Sequence, residues 1–328
     1  MLRSLVMIFL LLGPGAALAL CEGRDLIETL PQAERDALRR AADDTPFATG
    51  ILWLATRGAT RITWFGTYHY PHERTRAHLD ALTPLIETAD RVYLEVSNDD
   101  TRRMERTMAE DPSIMFITEG PTLPDLLGEA DWQSYKAAMA ERTVPGFMAA
   151  KFKPIWAAMM LGLGPCEARN GALEGDGIDT LIGNHAAAID NPSRSLEEFR
   201  TVLSMLDSFP QEDQLNMIRL FLPWSASADD MAYTLRTRYL AQDVAMIWEY
   251  SRKVSLAFGG ETAEADFATF EQQFLTNRNR AWVERLLTDA EGKTVFAAVG
   301  AAHLPGETGV LSMLEAEGFE IRTLPFTP

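Results

Sequence analysis

The chain has 328 residues, 47% hydrophobic and 23% charged, a balance that suits a folded globular protein and excludes a disordered or low-complexity one. Its formal charge of −17 gives a surface that repels nucleic acid and anionic membranes, so neither is expected as a partner.

Residues 1–19 read as an export signal. Arg3 precedes an apolar stretch, Leu5 to Leu12, and small residues then lead to Ala17-Leu18-Ala19. The stretch is too short for a permanent span, and no later segment offers the ~18 apolar residues that stable membrane insertion requires. Cleavage is expected after Ala19, with the mature protein periplasmic or secreted. Cys21 then stands second in the mature chain, and the only other cysteine is Cys166. An even count in an exported protein favours a Cys21–Cys166 disulfide, worth roughly 5 kcal/mol at most in the chain-entropy picture. Lipidation of Cys21 and two free thiols are the alternatives. Leu20 argues against lipidation, because that processing prefers a small residue before the cysteine.

"ILWL" (51–54) and "RITWFG" (61–66) read as strands around a turn at Arg57-Gly58. Leu79, Leu82, Leu85 and Ile86 fall at helical spacing, predicting a helix over 75–88, and "RVYLEVS" (91–97) is again a strand. That is a β-α-β unit and implies a parallel sheet. From about 101 to 288 the pattern is mostly helical, with candidates that include "IDTLIGNHAAAI", "MAYTLRTRYLAQDVAMIWEYSRK" and "RNRAWVERLLTDA". The end returns to strand ("TVFAAVG"), helix ("TGVLSMLEAEG", closed by Gly318) and strand ("FEIRTL"). The expected fold is α/β: a mostly parallel central sheet built from N- and C-terminal β-α-β segments, with a large helical insertion. Residues 20–328 are expected to form one domain.

One pattern occurs twice. "FGTYHYPHE" and "VGAAHLPGE" both read G-x-x-H-x-P-x-E after an apolar strand: Gly66, His69, Pro71 and Glu73 in one, Gly300, His303, Pro305 and Glu307 in the other. Parallel sheets bind ligands at the carboxyl ends of their strands. A glycine there lets the chain turn and a ligand approach, and a histidine three residues on reaches over that edge. Glu73 and Glu307 serve either as charges at a helix start or as partners of the site. Glu95 lies in the apolar "RVYLEVS" strand, where a carboxylate is costly unless paired or bound to a metal. If that strand neighbours the first, His69, Glu95 and His303 converge. Two histidines and a carboxylate with open positions are a recurrent catalytic metal set. His72 is a weaker candidate through its closeness to His69. His78 and His185 are expected to be surface or packing residues. "GDGIDT" (175–180) matches neither a phosphate loop nor a full calcium loop. G-x-S-x-G, H-E-x-x-H, C-x-x-C and Walker A patterns are absent from the sequence.

These pieces, "FGTYH", "ADRVYLEVS", "GIDTLI", "SLEEF", "RNRAWVERL" and "VGAAHLPGETGVLSMLEAEGFEI", resemble the TraB/GumN family over about residues 52–324. That family is similar to a wider group with Tiki-type Wnt-cleaving metalloproteases, erythromycin esterases and haem-binding lipoproteins. The resemblance implies an α/β core and a site of two GxxH histidines and a glutamate, here His69, His303 and Glu95. It also implies that Arg278 and Asn279, the family's Arg-Asn pair, bind substrate or orient a ligand; pairing of Arg278 with an acidic core neighbour is the plainer alternative. The expected function is a metal-dependent hydrolase, foremost a peptidase acting on a peptide or other small substrate, using one divalent ion (Mn, Co or Zn). A metal-free esterase-like hydrolase and a non-catalytic haem, iron or small-ligand binder are the alternatives.

Overall fold

A computed structural model describes residues 21–172 and 176–328. The proposed signal, its Ala19 cleavage point and Gly175 lie outside the described residues. Six strands form one sheet: β1 (Leu52–Arg57), β2 (Thr60–Thr67), β3 (Arg91–Leu94), β4 (Arg194–Ser195), β5 (Thr294–Gly300) and β6 (Glu320–Thr323). Their order is β4-β3-β5-β2-β1-β6. β4, β3, β5 and β2 run parallel, while β1 is antiparallel to both its neighbours. The expected α/β fold is therefore present, with its sheet drawn from both ends of the chain.

The residue pattern explains the layers. Central strands covered on both sides are apolar without interruption, and their successive side chains point to opposite faces. Phe65, Val92, Leu94, Phe296 and Ala298 pack on one face, with Leu79, Leu82 and Ile86 of the helix Thr75–Glu87 and Ile178 and Ile182 of the helix Ile178–Ala188. Trp64, Tyr93, Val295, Ala297 and Val299 pack on the other, against Trp282, Val283 and Leu286 of the helix Asn277–Asp289 and Leu311 and Leu314 of the helix Val310–Ala316. The insertion has its own apolar cluster, including Leu123, Trp132, Tyr135, Met139, Leu161 and Ile218. A segment that the hydrophobic pattern did not mark, the helix Gln32–Asp43, packs Leu38 and Ala42 against Ala245, Met246 and Tyr250. The Cys21–Cys166 disulfide joins this N-terminal segment to the insertion, with Cα atoms 5.8 Å apart. Among the described residues, no helix is long and apolar enough to cross a membrane.

Three expectations need correction. β3 does not neighbour β2, because β5 lies between them. β3 ends at Leu94, so Glu95 is the first residue beyond the strand rather than within it. The insertion is mostly helical, as expected, and also supplies β4, two residues that pair with Tyr93 and Leu94. The long helix expected over 231–253 breaks into Ala228–Leu240 and Val244–Phe258, with Gln242 at φ 59°. Hydrogen bonds offset that conformation. The Gln242 carbonyl accepts from Gly50 N–H at 2.9 Å, and its side-chain amide donates to Phe326 O at 2.5 Å.

His72 and His78 join an aromatic cluster with Tyr68, Tyr239, Phe65 and Phe326, their own rings 4.9 Å apart. Burial, then the charges of Arg236 and Arg74, pushes His72 down to about 4. Burial, then His72 and Arg74, does the same to His78. His72 Nε2 and His78 Nδ1 are buried with no hydrogen-bond partner among the described residues. Unfolded histidines titrate near 6.5. As pH falls from about 6.5 to about 4, the unfolded chain therefore takes up protons that the folded chain refuses, and stability falls. Melting followed across this range should show that loss, with little contribution from these groups above it. His78→Phe keeps an aromatic ring and removes one titrating group, so its acid slope should be shallower by up to about 1.4 kcal/mol per pH unit. An unchanged slope would remove His78 from the account.

Candidate active site

The parallel pairing of β2, β5 and β3 brings three strand ends to one edge. Thr67 pairs with Gly300, and Leu94 with Ala298. The two copies of the repeated pattern thus leave neighbouring strands side by side, and Glu95 leaves the next strand along. Gly300 is the meeting point. A Cβ there would lie 3.1 Å from His69 Nε2 and 3.3 Å from Glu95 Oε1, and Gly300 N–H donates to Glu95 Oε1 at 2.6 Å. Gly66 serves packing: a Cβ would come within 3.0 Å of Leu304 and Ala301, and its carbonyl accepts from Tyr239 Oη.

The two histidines sit differently. After Gly300 the chain turns through the short 3-10 helix Ala301–His303, which leaves His303 only 4% exposed. Asn279 Nδ2 donates to Thr308 O, so its Oδ1 is the atom that faces His303 Nδ1 at 2.6 Å. His303 therefore carries its proton on Nδ1 and offers the Nε2 lone pair. That nitrogen lies 3.3 Å from Arg278 Nη1 and 3.8 Å from Glu95 Oε1. Burial first, opposed by Glu95 and reinforced by Arg278 and His69, pushes His303 down to about 3 and keeps it neutral.

His69 follows an extended segment and has a side chain 58% exposed. Its Nδ1 lies 3.1 Å from Asp179 Oδ2, and Thr67 Oγ1 donates to Asp179 Oδ1 at 2.9 Å. Crowding by protein opposes charge on the ring, but Asp179, with help from Glu95, outweighs it and raises His69 to about 9. More than half the side chain meets water, so the pair orients His69 more than it stabilises the fold. Asp179 stands in the first turn of the helix Ile178–Ala188. That helix start presses on His69 itself: a Cβ at Gly177 would lie 2.0 Å from the His69 carbonyl oxygen.

Glu95 is held by Arg278, whose Nη2 donates to Oε2 at 2.6 Å. The chain after β4 accompanies the chain after β3, since Leu196 and Glu197 N–H both donate to the Glu95 carbonyl. This brings Glu197 to Arg278, which donates from Nε at 3.0 and 3.1 Å and also from Nη2. Burial opposes ionisation of Glu95, but His303, which is protonated only in the acid range where Glu95 itself titrates, together with the charges of Arg278 and His69 and the Gly300 N–H, holds it down at about 2. Glu197 moves up, with burial as the largest cause. The Arg278 guanidinium also lies 4.7 Å from the centre of the Trp282 ring.

The sequence candidates therefore divide. His69, Glu95, His303, Arg278, Asn279 and Gly300 come together. His72 goes to the aromatic cluster. Glu73 Oε2 lies 3.5 Å from Arg236 Nε, and Glu307 is exposed in the turn before Val310. His185 Nε2 lies 3.5 Å from Glu87 Oε1 of a neighbouring helix. Asp179 and Glu197 were missed. The glycine and acid opening "GIDTLI" were a usable signal for Asp179, whereas Glu197 had none to separate it from Glu198. Among the described residues, no group of three or more His, Cys, Asp or Glu side chains is placed to hold a metal ion. Arg278 stands among the donors.

Asn279 is the residue to test the build of this site. Asn279→Ala removes the acceptor of a buried histidine N–H and the donor to Thr308, and should cost about 1–3 kcal/mol in urea unfolding. A cost under ~0.5 kcal/mol would mean that His303 takes its orientation from elsewhere.

No curated protein matches the chain closely enough to count as a relative. A family model does match, over residues 51–323, from the first residues of β1 to the last of β6. That span contains the sheet, the insertion and all the residues that converge at Gly300, and by it the chain belongs to the TraB/PrgY/gumN family.

Proposed function

We propose that this protein is an exported hydrolase that uses a divalent metal ion held by His69, Glu95 and His303, and that it cleaves peptides. One observation carries the reading. Each histidine has its Nδ1 engaged by a protein oxygen, Asp179 for His69 and Asn279 for His303, while Nε2 is directed to the side where Glu95 lies. Ring nitrogens oriented through a second partner are the usual build of histidine metal ligands. Two imidazole nitrogens and one carboxylate are donor types that Mn, Co and Zn accept, with positions left open. Such an ion, when bound, polarises a carbonyl and lowers the pKa of water. The rest falls to side chains. Asp179 and Asn279 hold the two rings in place, Gly300 keeps Glu95 against the sheet edge, and Arg278 is the cation available to a developing oxyanion. The disulfide suits an oxidising compartment.

A metal-free second reading has its own support, because Arg278 Nη1 lies 3.3 Å from His303 Nε2, on the nitrogen a metal would need. There, one histidine acts as general base and Glu95 orients it.

Protein purified from the periplasm without chelator or affinity metal, then dialysed against Mn, Co or Zn, should carry about one ion per chain. His69→Ala and His303→Ala should lose it, and Glu95→Gln should bind at least about tenfold more weakly. The loaded wild type should cleave members of a peptide library that the histidine variants leave intact. Equal metal content in all four proteins would overturn the ligand set. A metal-free wild type that still cleaves would establish the second reading.

A further inference from the structure

The turn that carries His69 is gripped by groups that adjoin the Cys21–Cys166 disulfide. Arg236, on the helix Ala228–Leu240, donates from Nη2 to the Cys21 carbonyl at 2.6 Å. Its Nη1 lies 3.7 Å from Glu167 Oε1, and Glu167 follows Cys166 in the short helix Pro165–Arg169. One guanidinium therefore touches the chain beside both sulfurs. The same guanidinium reaches the His69 turn, with Nε 3.5 Å from Glu73 Oε2. Tyr68, on the other side of His69 in sequence, turns its hydroxyl to Glu167. Its ring packs on Tyr239 of the Arg236 helix, with ring centres 5.5 Å apart.

Burial makes the grip sensitive to position. The Arg236 and Glu167 side chains are 8% and 9% exposed. Charges this enclosed tolerate separation poorly, so a shift of either carries the others with it. The two pieces that meet at Arg236 have little regular structure of their own. Residues 21–31 form neither strand nor helix, and the helix that holds Glu167 has five residues. The covalent bond fixes them against each other. The opposite side of the turn is held separately, by Asp179 at His69 Nδ1 and by the close approach of Gly177. The two sulfurs also differ in access. Cys21 is 6% exposed, whereas Cys166 is half-buried and is the one that a thiolate from solution reaches.

We infer that the Cys21–Cys166 disulfide is a redox-operated clamp on the His69 turn. Oxidised, it holds residues 68–73 against the helix Ala228–Leu240 through Arg236 and Glu167. Reduced, it loosens that turn and lets His69 move away from Glu95. The electron donor is a dithiol, protein or small molecule. One of its thiolates attacks Cys166 Sγ, the bond to Cys21 breaks, and Cys21 leaves as a thiolate that takes up a proton. The donor's second thiolate then attacks the mixed disulfide, which releases Cys166 and leaves the donor oxidised. Arg236 is a positioning residue in this scheme. The clamp rests on the role of His69 in the proposed site, and His69 stands in both readings of that site.

The test is amide hydrogen exchange on the oxidised protein and on the same protein after dithiothreitol, with thiol labelling to score the bond. The amides to follow are those of His72 and Arg74, which donate within the turn to Thr75 Oγ1 at 2.8 Å and His72 Nδ1 at 3.2 Å. Strand β5 is the internal reference. Dithiothreitol should reduce the bond without denaturant, exchange in the turn should quicken at least about tenfold, and β5 should stay within about twofold. Arg236→Met, with its disulfide intact, should loosen the turn to a similar extent. Reduction should then add less than about twofold, since the clamp acts through Arg236. Unchanged exchange in the turn on reduction would overturn the proposal. So would a rise in β5 in step with the turn, which would make the bond a fastening of the whole fold, and so would a bond that resists dithiothreitol until denaturant is added. Should Arg236→Met fail to fold, Glu167→Gln serves: it keeps the side-chain shape and removes the charge between Arg236 and Tyr68. Wild-type protection of the turn there would also overturn the clamp. Peptide cleavage by the oxidised protein should fall on reduction. Cleavage by neither form would count against the hydrolase reading alone, because exchange is read without a substrate and decides the clamp by itself.

Discussion

Strand β5 lies between β2 and β3, parallel to both, and reaches that place after about 200 intervening residues. The candidate site depends on this insertion of the last long strand between the first ones. Without β5, Thr67 and Leu94 would end on strands that do not touch, and His69 would be separated from Glu95 by a gap. With it, Gly300 stands between them and gives its N–H to Glu95. Parallel neighbours must be joined by long crossovers, so the wide separation of the site residues in sequence follows from the sheet that assembles them. The central pairings, β2 with β5 and β3 with β5, are non-local, and contacts of that kind slow folding. The disulfide restricts the same long connection from another direction, tying Cys21 to Cys166 within the insertion.

Electrostatics at the edge follows from the same placement. Three groups arrive that burial would discharge: Glu95, Glu197 and Arg278. Glu95 remains ionised because positive charge and a backbone N–H surround it. His303, deeper and without a carboxylate at hydrogen-bond distance, goes neutral. His69, beside Asp179, becomes a cation. One repeated motif thus yields two histidines in opposite protonation states. The difference lies in the path of the chain after each glycine: a 3-10 turn buries the ring in one copy, and an extended segment leaves it at the surface in the other.

Much of this was legible in the sequence, for identifiable reasons. β2 and β5 carry largely apolar runs that lead to glycines, and the matching offsets after Gly66 and Gly300 mark His69 and His303. Glu95 was legible as an acid in an apolar run, although it lies one residue past the strand. What stayed hidden was tertiary. β4 is two residues long and has no periodicity to read, yet it brings Glu197 to Arg278. Nothing local distinguishes Glu197 from Glu198, because its role comes from an arginine 81 residues away. The helix break at Gln242 was equally unreadable, since its compensation comes from Gly50 and Phe326 at opposite ends of the chain.

The asymmetry between the histidines bears on how such a site would divide its work. His303 is enclosed by Trp282, Asn279 and Arg278, with ring centres 4.4 Å apart for the Trp282 contact. It has no freedom to follow a substrate and is suited to hold a fixed point. His69 is open to solvent on one side and held on the other by Asp179, which is itself fixed by Thr67 and a helix start. A molecule arriving from solution would therefore meet His69 first and His303 only beyond the Glu95–Arg278 pair.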